Sequence, residues 1–257
     1  MIPLQLVRRY AHNQQVDLEV ADQEVVLHYA LGLLNQAQLV GRLADGSLGP
    51  LLFKGGTALR KCLFGSEGRF SQDIDLDAPH KNGFEASAEA ALVDHSPFQQ
   101  EYLSRVEFDA PTLHGLDHYE MIGEKIMACN RRQGGSAKDI YDLYLWSKKP
   151  FDAELVRRVA VLKAWTDQRR NKPYDPENLL AAMVPANFRW SDLNGLVPRK
   201  QHADREMICR HARERFAILT NTTEDEQALL ADQSSHREVT LFNRLVDETR
   251  EMRLRLA

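Results

Sequence analysis

Cysteine is scarce in this chain. Cys62, Cys129 and Cys209 lie far apart, are odd in number and form no Cys-x-x-Cys pair. That excludes a disulfide framework and a zinc ribbon, and it fits a reducing compartment. Long apolar runs are missing as well. No stretch approaches the ~20 apolar residues of a membrane helix, and the opening MIPLQLVRRYAHNQ has no run of signal-peptide length. A soluble, cytoplasmic protein with no membrane partner is therefore expected. Neither sign of charge dominates: 33 Lys and Arg face 37 Asp and Glu, for a formal net charge of −4. A uniformly basic nucleic-acid binder is excluded, and any RNA contact must come from local patches. There is no internal repeat and no low-complexity tract. The segment KGGTALRK lacks the GxxxxGK[ST] spacing, so it is not a P-loop.

A chain of 257 residues can bury a full core and suits one large domain, or one with a smaller helical companion. Residues 1–46 read as helical, with Val25, Val26, Ala30, Leu33, Leu34 and Ala37 at spacings of three and four. A first strand is expected at 51–54, a short helix at 57–63, and a second strand at 72–77. An Ala-rich helix follows at 84–93 and a third strand at 103–109. Asp117 opens another helix, with Glu120 three positions on in a capping-box arrangement. A further helix covers 136–147, and Pro150 breaks the chain. Beyond it, periodic segments at 153–165, 176–184, 204–219, 224–231 and 238–256 predict an all-helical half. The expected fold class is α+β: a small mixed sheet flanked by helices over 1–149, then a helical region over 150–257.

The densest chemistry lies between Leu51 and Pro79. An apolar strand enters a Gly55-Gly56-Thr57 turn at a helix start, whose backbone N–H groups can cradle phosphate. Thr57 can equally serve as the helix cap and the glycines as a plain turn. Asp73 and Asp75 then alternate with Ile74 and Leu76. On a strand, residues two apart share a face, so both carboxylates project together. Asp, Gln and Ser are poor strand formers, yet they crowd this one strand. Two adjacent carboxylates repel unless a cation lies between them, and hard Mg²⁺ takes such oxygens together with substrate phosphates. Asp77 continues the face beside Pro79 and reads as a turn residue. Phosphate grip plus metal grip points to nucleotidyl or phosphoryl transfer.

On a helical wheel over 121–132, Met121, Ile122, Ile126, Ala128 and Cys129 form one apolar arc. Lys125 and Arg132 fall in the middle of it. Cations there cost desolvation unless they meet an anion or line a cleft. A buried salt bridge satisfies that condition as well as a ligand does. Asp139, three residues after Ser136, fits a capping box, and Asp142 can pair with Lys138 at i,i+4. Glu107 and Asp109 share a face of the third strand, where a strand-face salt bridge is an equal reading. His114 and His118 are four apart, but Pro111 and Gly115 mark a loop and no third ligand is near, so zinc is not expected. Cys62 and Cys129 read as core.

GGT followed by RFSQDIDLD resembles the signature of the DNA polymerase β-type nucleotidyltransferase fold. More narrowly, it is similar to the AbiEii/AbiGii toxin-type nucleotidyltransferases, which include MenT-like toxins. YEMIGEKIMA with Arg131 and Arg132 resembles that family's lysine helix, and KDIYDLY at 138–144 its KDxYDL segment. The three blocks occur in family order within 51–146. The resemblance implies a nucleotidyltransferase core using Mg²⁺ (or Mn²⁺) and an NTP. It implies metal ligation by Asp73 and Asp75, with Glu107 as a candidate third ligand. Gly55, Gly56, Thr57, Ser71, Lys125 and Arg132 would bind nucleotide. Asp139 would join the active site, with Asp142 behind it. It further implies an RNA acceptor such as a tRNA 3′ end, growth arrest, and a cognate antitoxin. The same fold also modifies small molecules and proteins, and a degenerate copy could serve only to bind an antitoxin. Charge permits RNA: Lys148, Lys149, Arg157, Arg158, Lys163, Arg169, Arg170 and Lys172 crowd 148–172, and 199–215 is a second basic stretch. Either stretch can equally be a solvated helix face. Ser71 lies two residues before Asp73, so added charge there would oppose both triphosphate and metal.

Overall fold

A computed structural model describes residues 2–42, 47–77, 92–97, 112–132, 135–167, 173–232 and 239–256. The chain forms two compact units, residues 1–118 with 193–202, and residues 119–192 with 203–257. Pro150 suggested a boundary at 149/150, and the contacts place it elsewhere for a physical reason. The helix before Pro150, Ala137–Ser147, packs along Arg205–Arg215, so sequence on both sides of the proline shares one core. Residues 193–202 return to the first unit, where Phe70 N–H donates to the Leu196 carbonyl at 2.7 Å.

The first unit opens with helices α1 (Leu4–Gln14) and α2 (Leu18–Gln36). Ile2, Val7, Tyr10, Ala11, Ala21 and Val25 pack with Phe70 and Leu196. The face of α2 differs from the expected one: Val26 is 57% and Leu33 63% exposed. The buried face instead includes Ala21, Glu24, Val25, Leu27, His28 and Leu31. Apolar residues surround this helix, so spacing alone could not choose a face. On that face Ala21 and Val25 join the apolar cluster, and the Glu24 carboxylate meets Lys61 at 2.8 Å with both groups buried. Beside them, burial and then the Lys61 charge hold the His28 imidazole down at about 4.

The sheet has the order β2-β1-β4-β3. Strand β1 (Leu52–Lys54) pairs antiparallel with β2 (Asp75–Asp77), matching Lys54 to Asp75 and Leu52 to Asp77. It pairs in parallel with β4 (Leu113–Leu116) through Phe53 and Gly115. A Cβ on Gly115 would overlap the Phe53 carbonyl oxygen, which accounts for glycine there. Strand β3 (Leu92–His95) runs antiparallel to β4. The helix expected at 84–93 therefore does not reach Leu92 and Val93, which pair with Leu116 and Gly115; residues 84–91 lie outside the described residues. So does the strand expected at 103–109, and with it Glu107 and Asp109. The loop expected around His114 is strand β4. His114 meets Asp94 at 3.0 Å while His118 approaches Asp117 at 3.9 Å, so the pair does not converge. Among the described residues, no three His, Cys, Asp or Glu side chains gather as a metal cluster.

The second unit holds α4 (His118–Arg132), α5 (Ala137–Ser147), α6 (Ala153–Thr166), α7 (Pro176–Ala181), α8 (Arg205–Arg215), α9 (Glu224–Ala231) and α10 (Val239–Leu254). It is not wholly helical beyond Pro150. A two-residue strand, Phe188–Arg189, pairs with Gly135–Ser136. The expected capping role of Glu120 is replaced by ion pairs to Arg253 at 2.6 Å and Lys163 at 2.8 Å. Burial pushes that carboxyl up, but the two cations outweigh it and hold it below its usual range. Three cations of the basic stretch at 148–172 are likewise used internally, while Arg169, Arg170 and Lys172 lie outside the described residues. Arg157 and Arg158 both meet the buried carboxylate of Glu226, at 2.9 and 2.7 Å, and Lys163 serves Glu120. Among the described residues, no helix is long and apolar enough to cross a membrane.

Candidate active site

In the first unit, the sequence from Lys54 to Asp77 builds one connected arrangement. Helix α3 (Gly55–Ala58) starts directly after β1 and runs on into a π-turn, Leu59–Phe64. Gly55 has φ of +77°, a conformation that side chains oppose. A Cβ on it would also overlap the Asp75 carboxylate, so that carboxylate lies directly against the glycine turn. Gly56 faces the Arg69 guanidinium and the Ser71 hydroxyl, 2.7 and 3.1 Å from where its Cβ would be. The sequence pointed to neither close approach.

The aspartates are arranged largely as their alternation indicated. Asp73, Asp75 and Asp77 are exposed while Ile74 and Leu76 are half-buried. The strand itself begins only at Asp75, and Asp73 lies in the bend before it. Asp73 is held instead by two side chains. The Thr57 hydroxyl donates to its carbonyl, and the Ser71 hydroxyl to its carboxylate at 3.3 Å. Thr57 is thus an interior residue of the short helix, whose N-cap is Lys54. Asp77 ends the strand and does not form a turn; it pairs with Lys54 at 2.9 Å. Asp73 and Asp75 therefore present oxygen donors beside the glycine turn, a donor set that suits a hard divalent cation.

In the second unit, α4 and α5 build a charge cluster. Lys125 Nζ lies 2.9 Å from Asp139 and 3.3 Å from Asp142, while Arg132 reaches Asp139 at 3.4 Å. Both aspartates are buried and Lys125 nearly so; Arg132 is more than half exposed. Lys125 is accordingly inside the apolar arc as expected, but Arg132 is at its rim. Asp139 does not cap its helix. Ser136 is the N-cap, accepting from Lys138 N–H and donating to Asp192 at 2.8 Å. Asp142 meets Lys125, a partner that the i,i+4 spacing does not point to. Burial pushes the Cys129 thiol well up and the Cys62 thiol up to about 12, which suits inert interior cysteines.

The Gly55 contact gives a direct test. Gly55→Ala is expected to cost ~1–3 kcal/mol through backbone strain. It should lower catalytic turnover by at least about tenfold, because it displaces Asp75. Denaturant titration beside a transfer assay measures both. A folded alanine variant with unchanged turnover would separate Asp75 from the turn.

The family described as nucleotidyl transferase AbiEii toxin, type IV TA system, matches residues 39–101 and 93–232 of this chain. Among solved structures, the chain is similar to MenT4, a nucleotidyltransferase toxin from Mycobacterium tuberculosis H37Rv. The two share 26% identity with a TM-score of 0.72, over 98% of this chain and 99% of that one. No curated protein sequence matches. The chain belongs to the AbiEii nucleotidyltransferase toxin family. It is an enzyme of the nucleotidyltransferase class.

Proposed function

We propose that this AbiEii-family toxin moves a nucleoside monophosphate from an NTP to the 3′ end of an RNA, with tRNA as the acceptor. The transfer depends on Mg²⁺ or Mn²⁺ held by Asp73 and Asp75. The observation that carries this reading is the packing of the Asp75 carboxylate against Gly55. It joins the carboxylate pair to the turn whose N–H groups can hold phosphate. A divalent ion held there by Asp73 and Asp75 would lower the pKa of an attacking hydroxyl and offset charge on the leaving pyrophosphate. The chain's own residues do the rest. Gly55 and Gly56 bring backbone donors close to the phosphates, and Thr57 holds Asp73 in place through its carbonyl, with Ser71 a secondary donor. Lys125 and Arg132 supply cations for the triphosphate, with Asp139 and Asp142 orienting the lysine. Glu107 is the candidate third metal ligand. The cytoplasm is the proposed setting, with an antitoxin as partner.

Ser71 offers a graded test. It is buried and donates to Asp73, so a carboxylate in its place would crowd the metal ligands with like charge. Ser71→Asp is expected to be nearly inactive and Ser71→Ala close to wild type. Equal activity of the two folded variants would remove Ser71 from the site.

The deciding experiment incubates the protein with each α-labelled NTP, Mg²⁺ and total RNA. Label carried by RNA at tRNA size supports the proposal. Label on protein or on a small molecule moves the acceptor to another class. No label from any NTP would overturn nucleotidyl transfer to RNA.

A further inference from the structure

Arg60 is 1% exposed and lies in the π-turn that follows the glycine turn. Buried guanidinium groups ordinarily face a carboxylate, because an unpaired charge in the interior is costly. Among the described residues, the contacts of Arg60 are of another kind. One nitrogen donates to the carbonyls of Gly65 and Gly68, at 2.6 and 2.5 Å. A second reaches the Tyr10 hydroxyl at 3.4 Å. The guanidinium carbon sits 4.1 Å from the centre of the Phe70 ring. Lys61, the neighbouring cation, has Glu24 as its carboxylate, so the two buried cations are treated differently.

The carbonyls gathered by Arg60 belong to the segment that carries the chain from the glycine helix to the aspartates. Gly68 to Ser71 leads into Asp73, and this stretch has little regular structure of its own. Phe70 anchors it twice, through the Arg60 guanidinium on its ring and through its N–H to Leu196. Arg69 donates to the Phe70 carbonyl at 3.2 Å and lies against Gly56. One guanidinium with several donors in a rigid fork is the side chain able to fix two carbonyls and a ring together. We propose that Arg60 is a positioning residue for nucleotidyl transfer: by fixing Gly65, Gly68 and Phe70 it sets where Asp73 and Asp75 meet the glycine turn. This rests on the reading that those two aspartates hold the metal ion.

The test uses the full chain. Mn²⁺ binding is followed by electron paramagnetic resonance in the presence of a non-hydrolysable NTP analogue, together with thermal melting and labelled-NMP transfer. Arg60→Lys keeps the buried charge but loses the fork. It is expected to weaken Mn²⁺ binding and to lower turnover per folded molecule by about tenfold or more, as misplaced ligands do. If that variant does not fold, Gly68→Ala approaches from the other side. Its Cβ would lie 3.0 Å from Phe64 Cβ and 3.1 Å from Arg60 Cδ, and it should produce a smaller shift in the same direction. A folded variant with wild-type Mn²⁺ affinity and turnover overturns the inference. So does a loss of activity that only follows the unfolded fraction. Asp73→Ala separates the two levels. If it abolishes Mn²⁺ binding while Arg60→Lys leaves it unchanged, Arg60 alone is excluded. If it binds Mn²⁺ as wild type does, the metal assignment falls and the role of Arg60 falls with it.

Discussion

Asp73→Ala and Asp75→Ala are each expected to lower labelled-NMP transfer by about 10³-fold or more, equivalent to ~4 kcal/mol of transition-state stabilisation. Neither should lower the melting temperature. Both carboxylates are exposed, so removing one deletes no core contact. Asp73 is held mainly through its backbone carbonyl, by Thr57, and that bond survives truncation to alanine. Asp75 contributes main-chain pairing to Lys54, which alanine also preserves. The measurement pairs melting with incorporation of label. A well-folded variant of either residue that retains transfer would sink the metal assignment.

What the sequence made legible follows from how local each signal was. The alternation Asp73-Ile74-Asp75-Leu76 and the glycine pair before a helix are short-range patterns, and they reappear as alternating exposure and a turn. The packing of Asp75 on Gly55 was not readable, because it depends on the register Lys54 to Asp75 across two strands. The face of α2 was misread for a similar reason. Its buried face carries Glu24, which meets Lys61, 37 residues away. Pro150 looked like a boundary because local conformation breaks there, yet α5 and α8 pack together across it. Lys125 was recognisable as an anomaly on an apolar arc. That Asp142 and Asp139 share it required the angle between two helices, which no spacing encodes. The basic stretch at 148–172 was legible only as a count of charges, since composition does not show their partners. Arg157 and Arg158 turn inward to Glu226.

Lys125 carries the remaining large effect, and its contacts change what is expected of it. A lysine that served only a bound triphosphate could be removed with little loss of stability. Here it neutralises two buried carboxylates, so Lys125→Met should cost ~3–5 kcal/mol, as breaking a buried pair does. Loss of activity in that single variant would then be ambiguous, because unfolding alone could produce it. The double variant Lys125→Met/Asp142→Asn resolves the ambiguity. It removes one buried negative charge along with the cation, and Asp139 retains Arg132 at 3.4 Å. Most of the lost stability should return, since replacing both partners of a buried pair is often close to neutral. Transfer should not return: a cation aimed at developing phosphate charge is worth about 10²–10³ in turnover. Melting temperature and turnover per folded molecule are read together on the single and double variants. Recovery of both in the double variant would make Lys125 a structural residue only and leave the triphosphate to other cations.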